Sequence, residues 1–141
     1  MNLDYYKMEE IIIDAAETIF GRLCSFAAKK ALEGSKVIIL NSEKAIISGN
    51  KKDIIEKYRT LRQKGGSSLK GPKYSKLPYK MLKRGIRGML PDHRRGIGKE
   101  AFRRIKCYDG VPEEFKDKKS IKINTKKPFK YIELKELSER I

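Results

Sequence analysis

The apolar positions of this chain form short runs that alternate with helical stripes. Glu10-Ile11-Ile12-Ile13 is an apolar run of strand length. After it, Phe20, Leu23, Cys24, Ala27, Ala28 and Ala31 recur at helical spacing and share one face of a helix reaching about Glu33. Asp14 or Thr18 is placed to cap that helix, and Gly34 to stop it. Its alanines allow close approach to a sheet or a second helix. Lys36 to Leu40 is again nearly all apolar, the pattern of a strand covered on both faces. Strand, helix and strand within about thirty residues predict a βαβ unit, two parallel strands joined by a right-handed crossover. The fold class is therefore α/β.

Asn41 to Ile47 continues as a loop or a short strand, and Ser48-Gly49-Asn50 supplies the next cap. A helix follows from about Lys51 to Lys64, with Ile54, Ile55, Tyr58 and Leu61 inward. Residues 65–78 read as a long basic loop with glycines, Pro72 and few apolar anchors. Its composition predicts disorder alone and order on a phosphate backbone. Pro78 suits the first turn of a third helix, about Tyr79 to Met89, with Leu82, Ile86 and Met89 on one face. Pro91 ends it. A basic turn, Asp92 to Gly98, leads into a fourth helix from about Lys99 to Lys106 with Phe102 and Ile105 inward. Tyr108-Asp109-Gly110-Val111-Pro112 is a turn, Ser120 to Asn124 alternates like an edge strand, and Ile132 to Ile141 predicts a last helix with Leu134 and Leu137 inward. Residues 1–8 read as a mobile tail. With 141 residues, no internal repeat and no linker, a single domain over 1–141 is expected.

Charge adds what the pattern cannot. Between Lys57 and Lys106 there are seventeen Lys or Arg and two acids, Asp92 and Glu100, so this stretch holds +15 of the chain's +16. Like charges so dense oppose compaction unless a polyanion neutralises them, and a nucleic-acid backbone is the polyanion such a stretch fits. The bland reading of basic helices is a solvated surface. Density argues against it, as does the choice of base: six of the bases from Lys80 to Arg104 are Arg, which forks onto phosphate and stacks on bases where Lys is a point charge. The RNA-binding candidates are Arg59, Arg62 and Lys64 at the second helix and Lys70 and Lys73 in the loop. Lys80, Lys83, Arg84 and Arg87 follow on the third helix, and His93, Arg94, Arg95, Gly96, Lys99 and Arg103 around the turn. Tyr74, Tyr79 and Tyr108 have two readings, stacking on unpaired bases or packing at the core and rim.

Other chemistry is poorly supported. Gly96-Ile97-Gly98-Lys99-Glu100-Ala101 matches a relaxed dinucleotide fingerprint, but it follows a basic turn instead of a buried strand. As a P-loop it lacks the leading glycine, His93 standing there, and Glu100 replaces the Ser or Thr. The turn after the first strand, Asp14-Ala15-Ala16-Glu17, is acidic and would repel an anionic cofactor. Cys24 and Cys107 have no partners at metal-ligand spacing, so no metal and no cofactor are expected. A single histidine is a weak basis for acid–base catalysis; in a basic loop it is an RNA contact or simply solvated. The longest apolar runs are too short to span a bilayer, and Met1 to Glu10 has no apolar h-region, so no membrane partner and a cytoplasmic location are expected.

Several segments carry a resemblance. Ile13-Asp14-Ala15 precedes Phe20-Gly21-Arg22-Leu23-Cys24-Ser25, and Val37 to Asn41 precedes Ile47-Ser48-Gly49. Arg87-Gly88-Met89-Leu90-Pro91 is followed by His93-Arg94-Arg95-Gly96, Ala101-Phe102-Arg103-Arg104-Ile105 and Tyr108-Asp109-Gly110-Val111-Pro112. In this order, from about Ile11 to about Phe115, the chain resembles the large-subunit ribosomal protein L13 (uL13) family in its archaeal or eukaryotic form. The resemblance implies a three-layer α/β/α fold with a small, mostly parallel sheet and a basic helical and loop extension. It implies binding to large-subunit rRNA beside neighbouring ribosomal proteins, a part in assembly, no catalysis and no small-molecule substrate. The family pattern is matched at Arg22, Arg87, Gly88, Pro91, Arg94, Arg95 and Gly96, with Arg22 open to a structural ion pair instead. The competing expectations are a free RNA-binding regulator using the same surface and an RNA-modifying or nucleotide-dependent enzyme.

Overall fold

Two short apolar runs, Ile11 to Ile13 and Val37 to Leu40, are too hydrophobic to face water on either side and set the centre of the sheet. In the computed structural model, which describes residues 9–64, 71, 73–123 and 125–141, β1 (Glu10–Asp14) and β2 (Lys36–Leu40) pair in parallel, Ile11 opposite Val37 and Ile13 opposite Ile39. The helix α1 (Phe20–Leu32) connects them, so the βαβ unit forms as the pattern predicts. After β2 come a 3-10 turn (Ser42–Lys44), β3 (Ile46–Ser48), α2 (Lys51–Gln63), α3 (Pro78–Gly88), α4 (Gly96–Arg103) and β4 (Ile105–Cys107). A second 3-10 turn (Glu113–Phe115), β5 (Ile121–Lys122), β6 (Tyr131–Glu133) and α5 (Leu134–Arg140) complete the chain. The sheet order is β4-β2-β1-β5, every pair parallel; β3 and β6 make a separate antiparallel ribbon.

Strand periodicity sends alternate residues to opposite faces. Ile11, Ile13, Val37, Ile39, Ile105 and Cys107 join the core that all five helices share. Ile12, Ile38 and Leu40 go to the other face, where Phe115 from the second 3-10 turn covers them with help from Tyr108. The outer layers are thus unequal, five helices against one turn. Within the thick layer α1 and α3 cross closely. At Gly85 a Cβ would run into the Phe20 ring and press on Cys24 Sγ, so only glycine permits this approach. Asn50 caps α2 by accepting from Lys52 N at 3.1 Å, and Pro78 opens α3 at its first turn, both as expected.

Four details differ from the expectations. Neither Asp14 nor Thr18 caps α1; Ile19 holds the N-cap position without a side-chain bond. Asp14 Oδ1 instead accepts from Ala16 N and from Asn41 Nδ2, both at 3.0 Å, tying together the ends of β1 and β2. The fourth helix begins at Gly96 and ends at Arg103, not Lys106, and Ile105 is inward as part of a strand. Its backbone is claimed by β2: Val37 N donates to Arg104 O, and Tyr108 N to Ile39 O, both at 2.8 Å. The last helix starts at Leu134, because Ile132 pairs with Ile47 in the β3–β6 ribbon. Met89 lies just past α3 and is exposed, while Met81 takes an inner place on that helix. The edge strand expected at Ser120 to Asn124 is β5. The tail 1–8 and most of the expected loop, residues 65–70 and 72, lie outside the described residues.

Candidate nucleic-acid interface

The helix α3 is the hinge between core and charge. Met81, Leu82 and Ile86 are buried against the core, which leaves Lys80, Lys83, Arg84 and Arg87 on its remaining surface. The chain then turns through Pro91 to Arg95 and enters α4 almost on top of itself. Gly98 is buried, and a Cβ there would overlap the carbonyl oxygens of Pro91 and Asp92. Gly96, with φ +63, makes the reversal. Asp92 organises the turn: Oδ1 accepts from Arg94 N and Oδ2 pairs with Arg95 Nε, each at 3.0 Å. The Arg94 and Arg95 side chains are left exposed, Arg95 by 87%. An open cleft of about 770 Å3, between the end of α1 and the start of α4, brings together Arg94, Arg95, Gly96 and Lys99 with Arg104. Glu33 and Glu100 also line it and moderate its charge.

This tight seat has a measurable consequence. Gly98→Ala forces a Cβ against the backbone of Pro91 and Asp92, with no flexible side chain to yield. It should cost about 1–3 kcal/mol, as overpacking does. Urea unfolding reads the loss, and a midpoint equal to wild type would show that α4 does not rest on the turn.

The other candidates divide by what they already hold. Arg59 Nε donates to Arg140 O at 2.9 Å and so ties α2 to the end of α5. Arg84 lies with its guanidinium carbon 3.8 Å from the Tyr74 ring centroid, and its Nη1 donates to Lys73 O at 3.3 Å. The Lys83 ammonium sits 5.1 Å from the Phe102 ring centroid, and the His93 ring meets Phe102 edge-on at 5.9 Å. Arg62, Lys64, Lys73, Lys80 and Arg103 are exposed on their elements, and Lys70 lies outside the described residues. Arg22 is exposed and makes no ion pair among the described residues. Arg104, also basic, is partly structural: its Nη1 donates to Ala31 O at 2.9 Å, a last-turn carbonyl of α1 that also accepts from Gly34 N.

The tyrosines separate too. Tyr108 packs on Phe115 and Tyr79 on the core, as core or rim tyrosines do. Tyr74 and Tyr58 meet edge-to-face at 6.4 Å and 90° beside a cleft of about 340 Å3 that Arg84 and Arg87 also line. Periodicity predicts Tyr58 only as an inner-stripe residue and gives no sign that it also lines this cleft. Phe129 escaped the sequence reading altogether. It is 97% exposed within Lys126-Lys127-Pro128-Phe129-Lys130, an aromatic among lysines that composition alone would flag.

Reactive groups are scarce. Cys24 and Cys107 are buried. Burial, with Cys107 nearby, pushes the Cys24 thiol far above the ordinary range. Burial also pushes Cys107 up to about 12, against a partial offset from Lys83. Neither is a thiolate near neutral pH, so neither serves as a nucleophile. Among the described residues no group of three or more His, Cys, Asp or Glu can hold a metal, and no helix is long and apolar enough to cross a membrane.

Core and surface together define a small α/β protein with many solvent-facing Lys and Arg on helices anchored in its core. Comparison with known proteins narrows this. The chain belongs to the ribosomal protein L13 family, whose model matches residues 8–114. It is 43% identical over 136 residues to the large ribosomal subunit protein uL13 of Methanosarcina barkeri, covering 92% of this chain and 96% of that protein. With uL13 of Methanocaldococcus jannaschii the identity is 42% over 135 residues, covering 92% and 96%. With uL13 of Archaeoglobus fulgidus it is 38% over 133 residues, covering 90% and 84%. Membership in this family makes the chain a structural protein and not an enzyme.

Proposed function

We propose that this protein is a structural constituent of the large ribosomal subunit in the cytoplasm. In this reading it binds large-subunit rRNA through the basic region 57–106, contacts neighbouring ribosomal proteins and supports subunit assembly. The supporting observation is the Asp92-centred turn. A chain matching uL13 relatives over nine-tenths of its length holds Arg94 and Arg95 outward at the start of α4, whose N-cap makes no side-chain bond among the described residues. Arginine forks, glycine backbone and a helix N-terminus are jointly suited to phosphate oxygens. The grooves of folded RNA are recognised mostly through shape, phosphate and 2′-hydroxyl contacts, which such a surface supplies.

Arg94→Ala and Arg95→Ala should each weaken rRNA binding by roughly tenfold and lower the salt slope by about one. The free protein should melt as wild type does, because the Arg95–Asp92 pair is exposed and worth about 0–1 kcal/mol at most. A lowered melting temperature with unchanged affinity would refute the assignment. Location is tested by gradient sedimentation of a low-salt lysate before and after a high-salt wash. One copy per large subunit, retained through the wash, supports the ribosomal role. Protein found off the subunit would point to a free RNA-binding regulator instead.

A further inference from the structure

A cleft beside α3 is walled largely by aromatic rings and arginines. It is lined by Phe20 from α1, Tyr58 from α2, Tyr74 from the segment before α3, and Arg84 and Arg87 from α3. Tyr58 and Tyr74 stand at 90° to one another, so they form two perpendicular flat surfaces. Arg84 lies over one face of the Tyr74 ring, its guanidinium carbon 3.8 Å from the centroid, and its bond to Lys73 O holds it there, so ring and guanidinium form one layered pair. Among the described residues no acid lines the cleft. Its volume, about 340 Å3, is at the lower end of the roughly 300–1,000 Å3 typical of small-molecule sites. It has room for one small planar group and not for a helix or a strand.

Gly88 supplies an independent observation. Glycine inside a helix is disfavoured by about 1 kcal/mol relative to alanine. Gly85 has a steric reason, the Phe20 ring. Gly88, the last residue of α3, has no such reason: its φ is ordinary, and among the described residues nothing lies within 4 Å of where its Cβ would stand. It also lines the cleft. Among the described residues, the position its side chain would take is open.

We infer that this cleft receives a single unstacked nucleotide of the bound RNA. Resting on the ribosomal RNA reading above, it deepens it by naming a second kind of contact. The base lies flat against the Tyr74–Arg84 pair with its edge toward Tyr58, and Arg87 faces the adjoining phosphate. Splayed-out bases are held in this way, by stacking on aromatic rings and guanidinium planes. The turn at Arg94 and Arg95 grips backbone, whereas the cleft grips a base.

The test uses the full-length protein and deproteinised large-subunit rRNA, with affinity measured over a salt series. Gly88→Leu fills the cleft while substituting a better helix former, so the variant should melt no lower than wild type. Gly88→Leu and Tyr74→Ala should each weaken binding on the order of tenfold, as loss of one base stack does. The slope of log affinity against log salt should not change, since no cation is removed. Wild-type affinity in a folded Gly88→Leu protein would overturn the inference. So would a loss with a reduced salt slope, which would trace the effect to phosphate contacts. Insensitivity to Gly88→Leu alongside sensitivity to Arg94→Ala would remove the cleft alone. An absence of wild-type binding would remove the ribosomal RNA reading as well.

Discussion

Raising monovalent salt from about 50 to about 200 mM should weaken binding of the protein to rRNA by roughly 10^3-fold or more. The basis is the concentration of +15 in fifty residues. If the surface of α3, the Arg94–Arg95 turn and α4 neutralise about six phosphates, the logarithmic salt slope is about −5, and a fourfold rise in salt produces that loss. Salt should act on the free protein in the opposite sense. There the same charges repel one another, and screening over a Debye length of about 10 Å at 0.1 M relieves them. The free fold should therefore become more stable across the range in which the complex weakens. Affinity from filter binding and stability from urea unfolding, measured in the same buffers, check both halves. A slope near zero would show that the basic stretch is a solvated surface and that RNA is held by other means.

The parts of the fold legible in the sequence are those whose determinants lie close together. The runs Ile11 to Ile13 and Val37 to Leu40, with the alanine face of α1 between them, state a parallel pair without help from the rest of the chain. Asn50 and Pro78 announce their helices by local chemistry, a side-chain acceptor and a fixed φ. The strands β4 and β6 are three residues long, too short for period two to register, and their partners are remote. Phe102 and Ile105 even sit three apart, the spacing of a helix, until the edge of β2 claims the second of them. The interface divides in the same way. Its charge is visible by counting. Which arginines also serve the fold is not, because Arg59 reaches Arg140, 81 residues away, and Arg104 reaches Ala31, 73 residues away. The base-sized cleft is less visible still, since three separated segments supply its planar walls.

Leu82→Ala should destabilise the free protein by about 2–5 kcal/mol, the range for emptying a buried leucine site. Leu82 is fully buried in the middle of α3, and its carbonyl accepts a weak bond from Cys24 Sγ at 3.9 Å. The close crossing at Gly85 holds α3 against α1 one turn further on, so the surroundings have little freedom to collapse into the cavity. A domain of this size has about 5–15 kcal/mol in all, and one with this self-repulsion has less to spare, so the loss is a large fraction. The melting temperature should fall by roughly 10 °C. The outward side chains of α3 are untouched, so the folded variant should bind rRNA with nearly wild-type affinity. RNA should then restore part of the lost stability by mass action, about 2.7 kcal/mol at a hundred times the dissociation constant. This is the mirror image of Arg94→Ala, which loses binding and keeps stability. Together the two variants separate what holds α3 in place from what α3 and its turn hold. A Leu82→Ala protein that melts as wild type, or one that stays folded and loses its RNA, would break that division.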